Sequence, residues 1–304
     1  MKKVLVVAGP TASGKTSFSI ELAKRLNTEI ISGDSIQVYK GFDIGSGKVT
    51  EDEKQGIKHH LIDILDPKEQ YSVKDFQTES RALIDSSDKP MIIAGGTGLY
   101  LKACLYDYVF TDEQESHYNK ELDAYSNHEL YQMLLELDSK QAEKIHENNR
   151  QRLLRSLTVI KNTGKKQSEI IDEQEHKPIY DFFIAGCTMN RSELYDRINL
   201  RVKEMIENGL EQEVSGLLKQ GVTFDNAPMK GIGYREWQEY YEKSISIEEV
   251  ESLIARNSRR YAKRQYTWLN HQMEVHWFNP RNKEERESML EQMVQFTKGQ
   301  DTLN

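Results

Sequence analysis

A chain of 304 residues, 37% hydrophobic and 30% charged, has apolar material for one large domain or two modest ones. Its net charge of −8 excludes a wholly basic nucleic-acid binder but leaves room for local cationic patches. Two cysteines, Cys104 and Cys187, are too few for a disulfide framework or a thiolate metal site, and no apolar stretch has the length of a membrane span; a cytoplasmic protein with no membrane partner and no obligate protein partner is expected.

The opening MKKVLVVAGP superficially matches a secretory leader. Its apolar run is too short for one and leads straight into a glycine loop, so Lys3–Ala8 is expected as a first strand. A helix over Lys15–Arg25, a strand over Glu29–Ser32, a helix over Val73–Ser86, a strand over Met91–Ala94 and a helix over Gly98–Leu105 follow. Continuous apolar strands alternating with helices predict an α/β fold: a parallel sheet flanked by helices on both faces.

The character changes after Tyr106. From Asp112 to Glu147 there are ten acids against Lys120, Lys140 and Lys144, in helix-forming sequence; then Arg150, Arg152, Arg155, Lys161, Lys165 and Lys166 follow with no acid between them. The strand pattern returns at Asp181–Met189. Residues 106–181 therefore read as a mostly helical insertion in an α/β core made of 1–105 and 182–304. Helices are expected over Arg191–Asn208, Leu210–Lys219 and Ser246–Leu269, the last opened by a Ser246/Glu249 capping box. A strand at Glu274–Phe278 and a helix at Lys283–Thr297 close the chain.

The chemistry begins in GPTASGKT: Gly9, Pro10, Thr11, Ala12, Ser13, Gly14, Lys15 and Thr16 satisfy G-x-x-x-x-G-K-[ST] between a strand and a helix. Glycines let backbone N–H groups turn inward around phosphate oxygens. The helix N-terminus adds positive potential, Lys15 reaches the terminal phosphates, and Thr16 can serve Mg²⁺. The motif points firmly to a phosphate and says little of what carries it. Asp34, at the carboxyl end of the second strand, is placed to ligate a metal or to take a proton from a nucleophile facing the phosphates. The third strand ends Ala94-Gly95-Gly96-Thr97, where a nucleotide hydrolase would carry a metal-binding acid. That missing acid counts against nucleotide hydrolysis, and Thr97 reads as a further phosphate donor.

Other polar residues carry two readings. His59 and His60 point to opposite faces if extended, so a structural role is favoured over a metal pair. Arg197 and Arg201, four apart on one helix, either clamp a diphosphate or pair with Glu193 and Glu204. Arg256, Arg259, Arg260, Lys263 and Arg264 run without an acid opposite the apolar face of Val250, Ile254, Tyr261 and Trp268. With Gln151-Arg152-Leu153-Leu154-Arg155 as a second basic run, they favour contact with a polyanion.

In series, GPTASGKT, DSIQVYKGFDIGSGK, HHLID, GGTGLY, QRLLR, RSELYDRINLRV, KGIGYRE and RRYAKRQYTWL resemble, over nearly the whole chain, the bacterial tRNA dimethylallyltransferases, also described as isopentenyl-diphosphate:tRNA isopentenyltransferases. The resemblance implies a P-loop NTPase-like core with a helical insertion that grips the anticodon arm. It implies transfer of the dimethylallyl group of dimethylallyl diphosphate to the exocyclic N6 amine of the adenosine 3′ to the anticodon, with diphosphate released. Thr11–Thr16 then hold the diphosphate, with Mg²⁺ at Thr16, and Asp34 is the general base. Ser35, Ile36 and Gln37 contact the target base, Thr97 assists the diphosphate, and Gln151–Arg155 contact the tRNA. Arg256, Arg260 and Lys263 are the added candidates for tRNA.

The sequence departs from the common DIGTAKP at Ser46-Gly47-Lys48-Val49, and it lacks the zinc-finger extension of eukaryotic relatives. Two rivals share the phosphate loop. A kinase acting on a small hydroxyl substrate leaves the basic helix and the charge-segregated insertion unexplained, and an adenylate isopentenyltransferase using free nucleotide has no use for Gln151–Arg155 or Arg256–Lys263. A non-catalytic RNA-binding module leaves Lys15 and Asp34 without a task.

Overall fold

The computed structural model describes residues 1–110 and 120–299. The start of the acidic run, at Asp112, lies outside the described residues. The chain divides into two compact units: Met1–Leu105 joined with the segment from Ile179 onward, and Tyr106–Pro178.

The first unit begins β1 (Lys3–Ala8), α1 (Lys15–Leu26), β2 (Ile30–Ser32), α2 (Glu51–Lys54), β3 (His59–His60), α3 (Val73–Ser86), β4 (Met91–Gly95) and α4 (Gly98–Leu105). In the second unit, α5 (Asn127–Leu137), α6 (Ser139–Ala142), α7 (Arg150–Thr163) and α8 (Gln167–Asp172) follow. The first unit resumes with β5 (Asp181–Cys187), α9 (Arg191–Glu207), α10 (Leu210–Lys219), α11 (Trp237–Tyr241), α12 (Ile247–Gln272), β6 (His276–Phe278) and α13 (Lys283–Thr297). Among the described residues no helix is long and apolar enough to cross a membrane.

The sheet has six strands in the order β3-β2-β4-β1-β5-β6, every neighbouring pair parallel. Strands covered on both faces must be apolar throughout, and Val4 to Ala8 and Ile92–Ile93 are fully buried. Leu5, Val7, Phe18, Leu22, Ile92, Phe183 and Leu290 pack into one core beneath α1 and α13. Because the strands run parallel, the turns after β1, β2 and β4 emerge on one rim. That rim carries the phosphate loop, Asp34 and Gly95–Thr97, as expected of an open α/β sheet. The 34–49 segment, without a strong period, leads into the short α2, held by a Thr50/Glu53 capping box. α12 runs to Gln272, three residues beyond the expected Leu269, with no Gly or Pro among Asn270, His271 and Gln272 to stop it.

The helical unit has its own core of Leu122, Leu130, Leu134, Ala142, Ile145, Leu153, Leu154 and Leu157. Capping residues set its helix ends: Ser126 and Glu129 form a capping box on α5, and Asp138 accepts hydrogen bonds from Gln141 N at 3.1 Å and Ser168 N at 2.8 Å. Arg150 donates to Tyr125 O at 2.7 Å, Asn127 Oδ1 at 3.1 Å and Asp123 O at 3.0 Å, so this first cation of the basic run ties the entry to α7 onto α5.

Candidate active site

The phosphate loop is shaped by its own backbone. Gly14, at φ 93°, caps α1 in the left-handed region that favours glycine, and the first turn of α1 contains no acid. Ser13 Oγ donates to Pro10 O at 2.8 Å and Lys15 Nζ to the same carbonyl at 2.6 Å. Gly9 and Pro10 are buried and frame the loop from behind, whereas Ala12–Thr16 line open space. A ligand there meets the turned-in amides, the helix N-terminus and the Lys15 ammonium together.

Two cavities open on this loop, one of about 380 Å³ and one of about 560 Å³, and Lys15, Thr16 and Arg201 line both. The smaller presents Asp34, Ser35, Gln37, Lys230, Arg235, Tyr261, Arg264 and Gln265 as its polar wall and Ile30, Ile36, Val49, Ile198, Val202 and Met205 as its apolar one. The larger gathers Lys24, Arg197, Arg201 and Arg286 against Glu21 and Glu53. With Lys15, its cations surround the mouth of the phosphate loop, where a highly charged anion meets them together with the loop amides.

Asp34 follows β2, where Gly33 N donates to Ala94 O at 2.8 Å. Its Oδ1 accepts the amides of Ile36 at 2.9 Å and Gln37 at 3.3 Å. This side-chain turn fixes the carboxylate on the cavity wall without a helix or strand to hold it. Gln37 is oriented in turn by Ser32 Oγ, which donates to Gln37 Oε1 at 3.0 Å.

Arg197 and Arg201 of α9 do not make the acid pairs that the sequence left open. Arg197 Nε donates to Ala12 O in the phosphate loop at 2.9 Å, and Arg201 Nη2 donates to Gly47 O at 3.2 Å. Glu193 pairs instead with Arg281 at 2.5 Å. Gly47 sits at φ 60°, and a Cβ there would meet Arg201 Nη2 at 1.5 Å. This glycine therefore lets the buried guanidinium lie against the loop.

Burial dominates the electrostatics. It pushes the Lys15 ammonium down to about 8, with Arg201 adding to the effect while Cys187 and Asp34 oppose it. Arg201 is likewise lowered by burial, with Asp34 opposing. Two cations and one carboxylate in a water-poor junction form a site that gains from an arriving anion.

Thr97 stands at the entrance to α4, next to Gly95 and Gly96 of the smaller cavity, but is not itself in the lining of either cavity. His59 lines the smaller cavity, its Nδ1 at 2.9 Å from Ile57 O, and its pKa is lowered by burial. His60 Nε2 lies 2.6 Å from Glu29. Among the described residues no three His, Cys, Asp or Glu side chains group so as to hold a metal.

Two expected tRNA residues need correction. In α7, Gln151, Arg152 and Arg155 are exposed, but Leu153 and Leu154 are 0% and 8% exposed in the core of the helical unit. Helical spacing turns the middle of QRLLR inward, so these two leucines support the exposed trio and do not meet a partner. On α12, Arg256, Arg260 and Lys263 are exposed, while Arg259 bonds Asn199.

Sequence reasoning missed Gln265 and the site role of Tyr261 and Arg264. Gln265 Nε2 donates to Gly96 O at 2.9 Å, and the Arg264 guanidinium lies 5.5 Å over the Tyr261 ring. For Tyr261 and Gln265 the signal was helical spacing: Ile254, Ser258, Tyr261 and Gln265 recur every three or four residues on the inward face, where a glutamine is out of place unless it has a task; exposed Arg264 gave no such signal.

Residues 37–272 match the family described as IPP transferase. The chain is similar to a tRNA dimethylallyltransferase from Anoxybacillus flavithermus, 44% identical over 302 residues, covering 98% of this chain and 97% of that one. Among solved structures it is similar to a tRNA delta(2)-isopentenylpyrophosphate transferase from Staphylococcus epidermidis, 40% identical with a TM-score of 0.72 and covering 98% and 99% of the two chains. It is also similar to a eukaryotic dimethylallyltransferase solved acting on tRNA, 28% identical with a TM-score of 0.84, covering 99% of this chain and 81% of that one. The coverage extends over both the phosphate loop and the helical unit, and the chain belongs to the IPP transferase family.

Proposed function

We propose that the two cavities are the two entrances of a single transfer site. The protein is a tRNA dimethylallyltransferase: it moves the dimethylallyl group of dimethylallyl diphosphate onto the exocyclic N6 amine of an adenosine in tRNA, the one 3′ to the anticodon, and releases diphosphate. The observation that carries this reading is the sharing of Lys15, Thr16 and Arg201 by both cavities. A donor held by its diphosphate in the larger cavity, against the phosphate loop, meets at those three residues an acceptor held in the cavity of Asp34.

The chemistry then follows from charge. The N6 nitrogen attacks the allylic C1 as the C1–O bond breaks, through a transition state with cation character on the five-carbon unit. Negative charge grows on the leaving diphosphate, which the loop amides, Lys15, Arg197 and Arg201 are placed to neutralise. The amine is nearly non-basic and turns acidic only as the C–N bond forms, and Asp34 takes the proton released. The adenine reaches the site by leaving its stack, which costs least in an unpaired loop. Thr16, exposed on the loop, would hold a divalent cation together with the donor's own oxygens, since the described residues offer no carboxylate cluster for one. When bound, such a cation supplies further neutralisation of the diphosphate.

For the polyanion, exposed Arg256, Arg260 and Lys263 on α12 and Arg152 and Arg155 on α7 supply phosphate contacts. Arg256→Ala with Arg260→Ala is expected to weaken tRNA binding and to reduce the slope of log K against log salt by about 2. An unchanged slope in filter binding across a salt series would return that face to plain solvation.

The defining test incubates the purified protein with labelled dimethylallyl diphosphate, Mg²⁺ and unmodified tRNA. Label on the tRNA is the expected result. In parallel reactions that supply free AMP, or ATP with a small hydroxyl acceptor, label on AMP and not on tRNA, or ADP formed from ATP, overturns the reading.

A further inference from the structure

Residues 43–47 follow the target-base segment Asp34–Gln37 and carry no regular structure, yet they are among the most heavily bonded segments of the site. The Glu213 carboxylate, in the first turn of α10, accepts Asp43 N at 3.0 Å and Ile44 N at 2.7 Å on one oxygen. Its other oxygen accepts Gly45 N at 3.1 Å and the Tyr234 hydroxyl at 2.8 Å. Three consecutive amides converging on one carboxylate form an anion nest, here filled by the protein's own side chain.

Tyr234 completes the ring of bonds. Its oxygen, while donating to Glu213, accepts Ser46 N at 3.1 Å. The ring is fully buried, 4.7 Å from Phe42 between centroids. A Cβ on Gly45 would meet Tyr234 Cζ at 2.6 Å, so the glycine lets the loop lie flat on the ring. Every amide from Asp43 to Ser46 is thereby committed to this pair. The loop then closes, Gly47 N donating to Ile44 O and Lys48 N to Asp43 O, both at 2.9 Å.

The closure fixes one atom that faces the chemistry. Gly47 O accepts Arg201 Nη2 at 3.2 Å, with Gln37 Nε2 at 3.5 Å from the same oxygen. Arg201 is one of the three residues common to both cavities. Glu213 and Tyr234 line neither of the two cavities, but the Gly45, Ser46 and Gly47 they hold line the smaller one, and only Gly47 among these three bonds a residue common to both.

We propose that Glu213 and Tyr234 are positioning residues for the transfer: they pin the 43–47 loop so that the Gly47 carbonyl aims the Arg201 guanidinium at the leaving diphosphate. The inference rests on the transfer reaction proposed above. A buried guanidinium held by a mobile carbonyl would sample several orientations, and a charge that must reorganise as the bond breaks stabilises it less.

Glu213→Gln and Tyr234→Phe test this, each preserving size. Both are expected to lower kcat at saturating donor and tRNA about tenfold, the cost of losing one well-made interaction with the transition state. KM for tRNA should stay within twofold and the melting temperature within a few degrees. In an Arg201→Met background, Glu213→Gln should change kcat less than threefold, because the group it aims is gone. Amide hydrogen exchange across 43–47 should accelerate in Glu213→Gln, whatever the activity. Wild-type kcat in both variants overturns the proposal. So does the same fold-loss with and without Arg201, or a loss that tracks only the fraction unfolded. If the wild-type protein transfers nothing to tRNA, the reaction assignment fails instead, and the exchange result still judges the clamp.

Discussion

Asp34→Asn is expected to slow dimethylallyl transfer by on the order of 10³-fold, about 4 kcal/mol of barrier, while leaving tRNA affinity within twofold. Asparagine retains an Oδ1 for the amides of Ile36 and Gln37, which the aspartate now accepts at 2.9 and 3.3 Å. The turn therefore survives, and with it the cavity wall. What disappears is the capacity to take a proton. The acceptor amine carries its lone pair into the adenine ring, so it neither attacks readily nor releases its proton until attack is well advanced. A base fixed beside it acts at that moment and at no other. Single-turnover transfer with saturating tRNA reads the chemical step, and equilibrium binding reads the complex. Transfer within tenfold of wild type would remove Asp34 from the role of base, whatever happened to binding.

Much of this site was legible because its parts use strong local rules. GPTASGKT can do little other than turn around a phosphate, and β1 before it and β4 beside β1 are apolar enough to allow only a parallel, doubly covered sheet. Asp34 and Gly95–Thr97 fall on the same rim because parallel strands must end together. What the sequence concealed was tertiary. The fate of Arg197 and Arg201 turned on carbonyls of Ala12 and Gly47 that lie far away in the chain, while nearby Glu193 and Glu204 looked equally good as partners. QRLLR reads as one motif, but a helix splits it between solvent and core. The 34–49 loop has no period to read, and its order is imposed from outside by Glu213 and Tyr234. Of the departures within it, Ser46 leaves the clamp unchanged, since it is held there by its backbone N–H, whereas Gly47 matters, because its left-handed φ and missing Cβ make room for Arg201.

Lys15 bears the other large effect. Lys15→Met is expected to lower kcat/KM for the donor by about 10²- to 10³-fold, as for the loss of one preorganised group on a leaving anion. The pH dependence is more specific. In the free protein burial pulls the ammonium from its ordinary 10.5 down to about 8. The charged form is thus penalised in the folded state: the penalty is fully present below pH 8 and is relieved as pH rises from 8 toward 10.5, where the unfolded chain still holds the proton. An arriving diphosphate reverses this balance, because two or more negative charges beside Nζ restore the ammonium. Binding above pH 8 must therefore take up a proton. An alkyl diphosphate, fully ionised by that pH, should lose affinity as pH rises past 8, by up to about tenfold per unit. Calorimetry in two buffers of different ionisation enthalpy would count the proton directly. Arg201 stays charged throughout, so in Lys15→Met affinity should fall overall and its pH dependence should flatten. A wild-type affinity flat from pH 7 to 10, with no proton uptake, would mean that Lys15 is already charged in the free site, and that the cation is held there by neighbours without waiting for the donor.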